Sequence, residues 1–123
     1  MLAARPLAAG TETAPAAAAA RIRALNDTFR RSFSGGQVVE TPGVVELPEA
    51  ERIALLLAVR RFDRFDVDND PYSEHDFGAI EVGGGRFYWK IDAYDRALLG
   101  HSPDPADPAV TSRVLTIMRA DEY

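Results

Sequence analysis

Apolar residues recur at helical spacing in the first third of the chain. Four of them follow one another at intervals of three or four residues and so form a single stripe: Ile22, Leu25, Phe29 and Phe33. Gly35 and Gly36 follow, and glycine tolerates the left-handed conformation found just past a helix end. The pattern predicts an amphipathic helix that begins at Ala16. Four arginines are expected on its solvent side: Arg21, Arg23, Arg30 and Arg31.

A second helical stripe comprises Leu55, Val59 and Phe62. Pro48 suits the first position of a helix, because a helix leaves that N–H unpaired. Acidic residues follow in the first turn, where the helix dipole favours anions, and arginines occur near the other end. We therefore predict a second helix from Pro48 to the arginine pair at positions 60 and 61, with its arginines in solvent.

Two runs of strand character on either side of a glycine turn predict a β-hairpin. Residues 77–82 and 86–92 flank a run of three glycines at 83–85, and glycines permit the positive φ angles of a tight turn. In the second of these strands three apolar side chains fall on one face: Phe87, Trp89 and Ile91. The opposite face then carries Tyr88, Lys90 and Asp92.

Two further segments have strand character. Residues 37–41 are β-prone and are broken by Pro42 and Gly43, while residues 113–119 contain a β-branched, apolar run suited to a central strand. The order α-β-α-β-β-β predicts an α+β fold, with two helices packed on one face of a small, mostly antiparallel sheet of three or four strands. We expect one domain at residues 16–123, preceded by a flexible, alanine-rich leader at residues 1–15.

Composition narrows the function classes. The chain of 123 residues has no cysteine, which excludes disulfides, thiolate metal sites and cysteine nucleophiles. No apolar stretch reaches the roughly 18 residues that span a bilayer. We therefore expect a cytoplasmic protein with no membrane partner.

Charge is divided unevenly along the chain. Residues 1–61 hold eight arginines against six carboxylates, a net charge of +2, whereas residues 62–123 hold six basic residues against thirteen acids, a net charge of −7. A duplex-binding protein needs a basic stripe to neutralise phosphates. No direct binding of nucleic acid is expected, and the acidic half instead suits a protein partner with a basic surface.

An acidic segment at residues 63–76 carries six carboxylates. Its aspartates at 66, 68 and 70 resemble the start of an EF-hand loop, but Pro71 and Phe77 stand where that loop needs glycine and glutamate. A looser divalent-metal site built from Asp70, Glu74 and Asp76 stays open, and no other cofactor is expected. The alternative is that Asn69, Asp70 and Asp76 cap turns through hydrogen bonds to the backbone.

His75 and Lys90 are the candidates for catalysis. His75 is the side chain of the acidic segment that titrates near neutrality, and Lys90 is the one lysine in the chain. Because consecutive residues entering a strand point to opposite faces, Glu74 and Asp76 should share one side while His75 faces away. Lys90 has a simpler alternative, a salt bridge to Glu81 or Asp92. The full set of candidate binding residues is Asn69, Asp70, Tyr72, Glu74, His75, Asp76, Lys90, Asp92, Tyr94 and Asp95.

Several short motifs follow one another along the chain: Asn69-Asp70-Pro71-Tyr72, Glu74-His75-Asp76-Phe77-Gly78, Trp89-Lys90-Ile91-Asp92 and Arg113-Val114-Leu115-Thr116-Ile117-Met118. Together they resemble the bacterial family called domain of unknown function 3768, and the likeness extends over residues 21–123. The family has no assigned activity. The resemblance implies a small bacterial protein carried on plasmids and other mobile elements, with a role in maintaining the element or countering host defence.

Two hypotheses follow. The first is a non-enzymatic accessory factor that binds a protein partner through an acidic surface. The second is a small enzyme based on carboxylates and histidine, with or without a divalent metal, in which the candidate residues converge on one point. We favour the first, because no complete catalytic constellation is present in the sequence.

Overall fold

A computed structural model of the protein describes residues 14–123. Its helices and strands follow in the order α1 (Ala14–Ser32), β1 (Gln37–Glu40), α2 (Pro42–Val45), α3 (Glu49–Arg60), β2 (Phe77–Val82), β3 (Gly85–Tyr94) and β4 (Ser112–Arg119). Short 3-10 helices precede and follow β4, at Pro108–Val110 and Ala120–Glu122. Within the described range, no helix is long and apolar enough to cross a membrane.

The four strands form one mixed sheet in the order β1-β4-β3-β2. β3 is the longest strand and pairs antiparallel with both of its neighbours, with Trp89 opposite Gly78 on one side and Ile117 on the other. β1 runs parallel to β4. The predicted α+β architecture is confirmed, and the parallel β1–β4 pair is a minor departure from a mostly antiparallel sheet.

Both long helices pack on the same face of the sheet. Phe29 of α1 and Leu55 and Val59 of α3 are at most 1% exposed and join one apolar cluster with the strand residues. The strands contribute five buried side chains to it: Phe87, Trp89, Ile91, Leu115 and Ile117. Burying side chains of this size stabilises a fold by about 1.5–3 kcal/mol each. The alternating pattern in β3 therefore identified the core face correctly.

Several predicted boundaries shift. α3 begins at Glu49, so Pro48 directly precedes the helix instead of occupying its first position. α1 begins at Ala14 rather than Ala16, and the rest of the expected leader lies outside the described residues. The Pro42-Gly43 break is the start of α2, since proline suits the first turn of a helix. β3 extends to Tyr94, because Ala93 and Tyr94 continue the pairing with β4.

Arg30 contradicts the expectation that the arginines of α1 lie in solvent. Its side chain is 0% exposed. The Nε atom donates to the carbonyl oxygen of Val59 at 3.1 Å and Nη2 donates to that of Phe62 at 3.0 Å, while Nη1 pairs with Asp27 at 2.9 Å. Arg30 therefore binds two backbone carbonyls, that of Val59 in the last turn of α3 and that of Phe62 just after the helix.

Aromatic rings complete the environment of this guanidinium. Its central carbon lies 5.2 Å from the ring centre of Trp89 and 5.4 Å from that of Phe65. Cation–π contacts of this kind strengthen when the cation is removed from water. The planar guanidinium thus joins α1, the end of α3 and the sheet at one point.

Replacing Arg30 by methionine should lower the free energy of unfolding by about 3–5 kcal/mol, because the buried carbonyls and Asp27 each lose the hydrogen bond from the guanidinium. Arg31 offers a matched control. Its side chain is 64% exposed, so Arg31→Met should change the stability by less than about 0.5 kcal/mol. Urea unfolding of both variants measures the difference, and equal effects would contradict the assigned role of Arg30.

Gly78 gives a second test of the packing. A Cβ at this position would lie 2.4 Å from Nε1 of Trp89 and 2.7 Å from the ring of Phe62, both of which are buried. Gly78→Ala should therefore destabilise the fold by about 1–3 kcal/mol through overpacking. Gly100→Ala, where the nearest atom is 4.0 Å away, should have little effect in the same urea titration.

Candidate functional site

Helix α1 holds the end of the acidic segment against the fold. Nδ2 of the buried Asn26 donates to the carbonyl oxygen of Glu74 at 2.9 Å, and Nη1 of Arg23 donates to that of Ser73 at 2.8 Å. Oδ1 of the same Asn26 side chain accepts a hydrogen bond from Nε of Arg113 at 2.8 Å. The backbone path of residues 73–75 is therefore set by polar side chains of the helix.

Asn69 and Asp70 build the turn that precedes this point. Asp70 is buried, and its Oδ1 accepts the backbone N–H groups of Glu74 at 2.9 Å and His75 at 3.0 Å. Asn69 accepts the N–H of Asp66 and donates to the carbonyl oxygen of Arg64. These two residues act as turn caps, the structural alternative for this segment.

His75 faces α1. Its backbone is left-handed, with φ of 54°, and its ring stacks on Phe65 at a centroid distance of 3.7 Å. Nδ1 lies 2.9 Å from Oδ1 of Asp27, and Nε2 lies 3.6 Å from Oδ2 of Asp70. The histidine is thus held between two carboxylates.

Asp27 is the centre of this cluster. Burial alone would raise its pKa, but hydrogen bonds from His75 and Arg30 and the charges of both outweigh burial, so the pKa of Asp27 lies below its ordinary value. A depressed carboxyl pKa contributes stability above the unfolded pKa, and that stability is lost as the pH falls through the folded pKa. The cluster therefore strengthens the attachment of α1 at neutral pH.

Glu74 and Asp76 lie on the other side of the backbone from His75. They line a recess of about 190 Å³ between α1, β3 and the proline-rich loop. Its walls are Ile22, Asn26, Ile91, Asp92, Ala93, His101 and Pro105. The N–H of Ile91 donates to the carbonyl oxygen of Asp76 at 2.8 Å, which continues the β2–β3 pairing and fixes the position of Asp76.

Two carboxyl groups of the recess, those of Glu74 and Asp76, have raised pKa values. Burial raises the pKa of Glu74, and the charges of Asp76 and Asp70 raise it further. Burial also raises the pKa of Asp76, with added repulsion from Asp70 and Asp92; a hydrogen bond to backbone opposes this without reversing it. Neither residue forms an ion pair within residues 14–123. The recess therefore favours the arrival of a positive charge.

Arg113 is a buried cation whose charge acts on Glu74, and its guanidinium is already hydrogen-bonded elsewhere. Its guanidinium donates to Asn26 and to the carbonyl oxygen of Pro105. Burial lowers the pKa of Arg113, while the charge of Glu74 opposes that change. The charge of Arg113 thus offsets part of the rise in the pKa of Glu74, but the two side chains form no ion pair in the described structure.

Lys90 is not brought together with Glu74 and His75. The strand register places Lys90 and Asp92 on the sheet face opposite to Ile91, and Nζ of Lys90 lies 2.6 Å from Oδ2 of Asp92. This hydrogen bond raises the pKa of Lys90 and keeps it charged. The simpler alternative, a salt bridge with Asp92, is therefore the observed arrangement.

The remaining candidates lie apart from the recess. Tyr72 is 76% exposed. Tyr94 pairs through its backbone with His101, and Oδ1 of Asp95 accepts the N–H of Leu99 at 3.0 Å. Asp95 thus caps a loop. His101 lines the recess, although it was not among the candidates selected from the sequence.

The three candidate metal ligands are divided between two places, the turn at Asp70 and the recess at Glu74 and Asp76. Across the described part of the chain, no three histidine or carboxylate residues are arranged to hold a metal ion. Oδ1 of Asp70 accepts hydrogen bonds from two backbone N–H groups, and Asp70 does not line the recess. Glu74 and Asp76 do line it. A metal would have to bind the recess through these last two residues and an added ligand.

Sequence reasoning missed the polar residues of α1 that organise the site. Asn26 and Arg30 lie four and eight residues after Ile22, on the stripe that the helix buries. That spacing was a usable signal. Asp27 carried no comparable signal, because its partner His75 is 48 positions away.

The raised pKa of Glu74 makes a prediction about pH. In the folded state the carboxyl group of Glu74 keeps its proton to a higher pH than in the unfolded chain. The free energy of unfolding therefore falls as the pH rises from the unfolded pKa through the folded pKa of Glu74. Glu74→Gln should therefore stabilise the protein at pH 7 and leave it unchanged below about pH 3.5, under the ordinary glutamate pKa. Urea titrations at both pH values test this.

Asp68→Asn is the control for this experiment, because Asp68 is exposed and forms no ion pair in the described structure. It removes the same charge from the same acidic segment. If both variants gain the same free energy of unfolding at pH 7, general charge repulsion rather than the recess explains the stabilisation.

Comparisons with known proteins identify the family of the chain and give no related protein of known activity or structure. The search of curated proteins finds no match, and the search of solved structures finds none either. Residues 40–122 match the family described as "Protein of unknown function (DUF3768)". This range covers more than half of the chain and includes the whole sheet except the start of β1, together with Glu74 and Asp76. The chain therefore belongs to the DUF3768 family, as the motifs of its sequence predicted.

Proposed function

We propose that the protein is a non-enzymatic binding protein, and that its acidic recess receives a positively charged side chain of a partner protein. The observation that carries the proposal is the pair of partly buried carboxyl groups of Glu74 and Asp76, which face one recess and lack an ion-pair partner in the described structure. A guanidinium or ammonium group would lower both pKa values and form charge-assisted hydrogen bonds.

The size of the recess supports a side chain rather than a larger ligand. Its volume of about 190 Å³ is smaller than the roughly 300–1,000 Å³ of typical small-molecule pockets. Apolar walls formed by Ile22, Ile91 and Pro105 suit the methylene stem of an arginine or lysine. The carboxyl groups at the end would then bind the charged head.

The charge of the rest of the chain favours the same partner. Residues 62–123 carry a net charge of −7, which speeds the encounter with a basic surface. A nucleic-acid-binding protein of the bacterial cytoplasm is such a partner. Together with the family resemblance, this charge supports a role as an accessory factor of mobile elements, for example in countering host defence.

The enzyme hypothesis keeps one observation in its favour. Glu74 and Asp76 both have raised pKa values, and a carboxylic acid beside a carboxylate is suited to general acid–base chemistry. The other proposed participants do not line the recess: His75 is paired with Asp27, and Lys90 with Asp92. Binding is therefore the better account of the geometry.

A glycine peptide with one central arginine tests the proposal. Titration into ¹⁵N-labelled protein should shift the amide signals of Glu74, Asp76, Ile91 and Ala93, and the shifts should weaken at high salt. A peptide with uncharged citrulline in place of arginine should bind at least tenfold more weakly. The double variant Glu74→Gln/Asp76→Asn should lose binding to the same extent.

Glu46→Gln/Asp68→Asn is the matched control, since it removes two exposed carboxylates that form no ion pairs in residues 14–123. It should bind the arginine peptide like the wild type. Equal binding by all three proteins would refute the recess as the site. Calorimetry with magnesium, manganese, calcium and zinc addresses the enzyme hypothesis, which gains support if heat of binding disappears in Glu74→Gln/Asp76→Asn.

A further inference from the structure

Among residues 14–123, strand β2 lies at an open edge of the sheet. It pairs with β3 on one side and ends the strand order on the other. The N–H of Ile91 donates to the carbonyl oxygen of Asp76, and hydrogen-bonded pairs alternate along an antiparallel ladder. Gly78, Ile80 and Val82 therefore bond to β3. The N–H and C=O groups of the alternate residues Phe77, Ala79 and Glu81 therefore point away from β3.

A groove runs along this edge. It has a volume of about 670 Å³ and is bounded by the end of α3 on one side and by β2 on the other. Ala79 and Ile80 both line it, although their side chains point to opposite faces of the sheet. The groove therefore includes the edge of β2 itself and not just one face of the sheet.

The groove differs in charge from the rest of the protein. Three arginines line it against two carboxylates, on a chain whose net charge is −5. Arg61 and Arg64 are exposed and form no ion pair in the described range. Arg86 has a long, exposed contact with Glu81, at 3.4 Å. Two guanidinium groups thus lie beside an unpaired strand edge.

We propose that this edge binds an extended, acidic segment of a partner protein, which adds to β2 as a fifth strand. The backbone of the segment would pair with Phe77, Ala79 and Glu81. Its glutamates or aspartates would contact Arg61 and Arg64, and its small apolar side chains would pack near Ala58 and Phe62. Strand addition of this kind takes affinity from the backbone and specificity from alternate side chains.

Charge argues against a second copy of this chain as the occupant. Antiparallel pairing of β2 with its own copy, about a two-fold axis normal to the sheet, keeps α3 of both copies on the same face. The arginines at positions 61 and 64 of both copies would then approach one another, and facing like charges are destabilising. An acidic strand meets no such repulsion.

The probe is a nine-residue peptide in which glutamate alternates with valine and threonine, labelled with fluorescein for anisotropy. We expect binding to the wild-type protein and slowed hydrogen exchange at the amides of Phe77, Ala79 and Glu81. A peptide with lysine in place of glutamate should bind at least tenfold more weakly. Methylation of alternate backbone nitrogens in the acidic peptide should also abolish binding, because it removes the strand hydrogen bonds.

Variants locate the site. Arg64→Glu should weaken binding roughly tenfold, a change of about 1.4 kcal/mol. Arg21→Glu, which changes an exposed arginine on α1, should leave binding unchanged. Ala79→Pro removes an outward N–H at an edge position where proline is tolerated, and should prevent strand addition. Circular dichroism checks its fold, and the methylated peptide tests the same bond if this variant does not fold.

The proposal is overturned by any of three results. The first is equal affinity for the acidic and lysine peptides, and the second is equal loss of binding in Arg64→Glu and Arg21→Glu. The third is a dimer in sedimentation that Ala79→Pro or Arg64→Glu disrupts, which would identify a second copy as the occupant. Because Glu74 and Asp76 do not line this groove, Glu74→Gln/Asp76→Asn should bind the acidic peptide normally.

Discussion

The position of α1 depends on one buried guanidinium. Arg30 bonds to the carbonyl oxygens of Val59 and Phe62, which fixes the first long helix to the end of the second. Burying an arginine is costly unless each donor finds a partner, and here the carbonyls, Asp27 and two aromatic rings supply them. Asn26 and Asp27 are thereby held where they meet residues 74 and 75.

That placement divides the acidic segment into two environments. On one side His75 is enclosed by Asp27, Asp70 and Phe65, and its role is to attach the segment to the helix. On the other side Glu74 and Asp76 face a recess, have raised pKa values and form no ion pair within residues 14–123. The same backbone thus carries a structural cluster on one side and the recess on the other, which is why binding explains the geometry better than catalysis by His75.

The parts of the fold that follow local periodicity could be predicted. Phe87, Trp89 and Ile91 alternate in the sequence, and the structure buries all three. The parallel pairing of β1 with β4 could not be predicted, because it joins residues such as Gln37 and Val114 that are far apart in sequence. At the site, alternation in β3 placed Lys90 on the face opposite to Ile91. It could not explain the position of His75, because β2 begins only at Phe77 and the backbone of His75 is left-handed. Which face Asp76 shares depends on the register of β2 with β3, which the sequence does not determine.

The most direct test of this account is an NMR titration of the side-chain carboxyl carbons. The account predicts that Glu74 and Asp76 titrate above the ordinary pKa values of their residue types, and that Asp27 titrates below its own. It further predicts that Arg30→Met, if folded, raises the pKa of Asp27. Ordinary pKa values for Glu74 and Asp76 would contradict a recess that favours a positive charge and remove the basis of the proposed function.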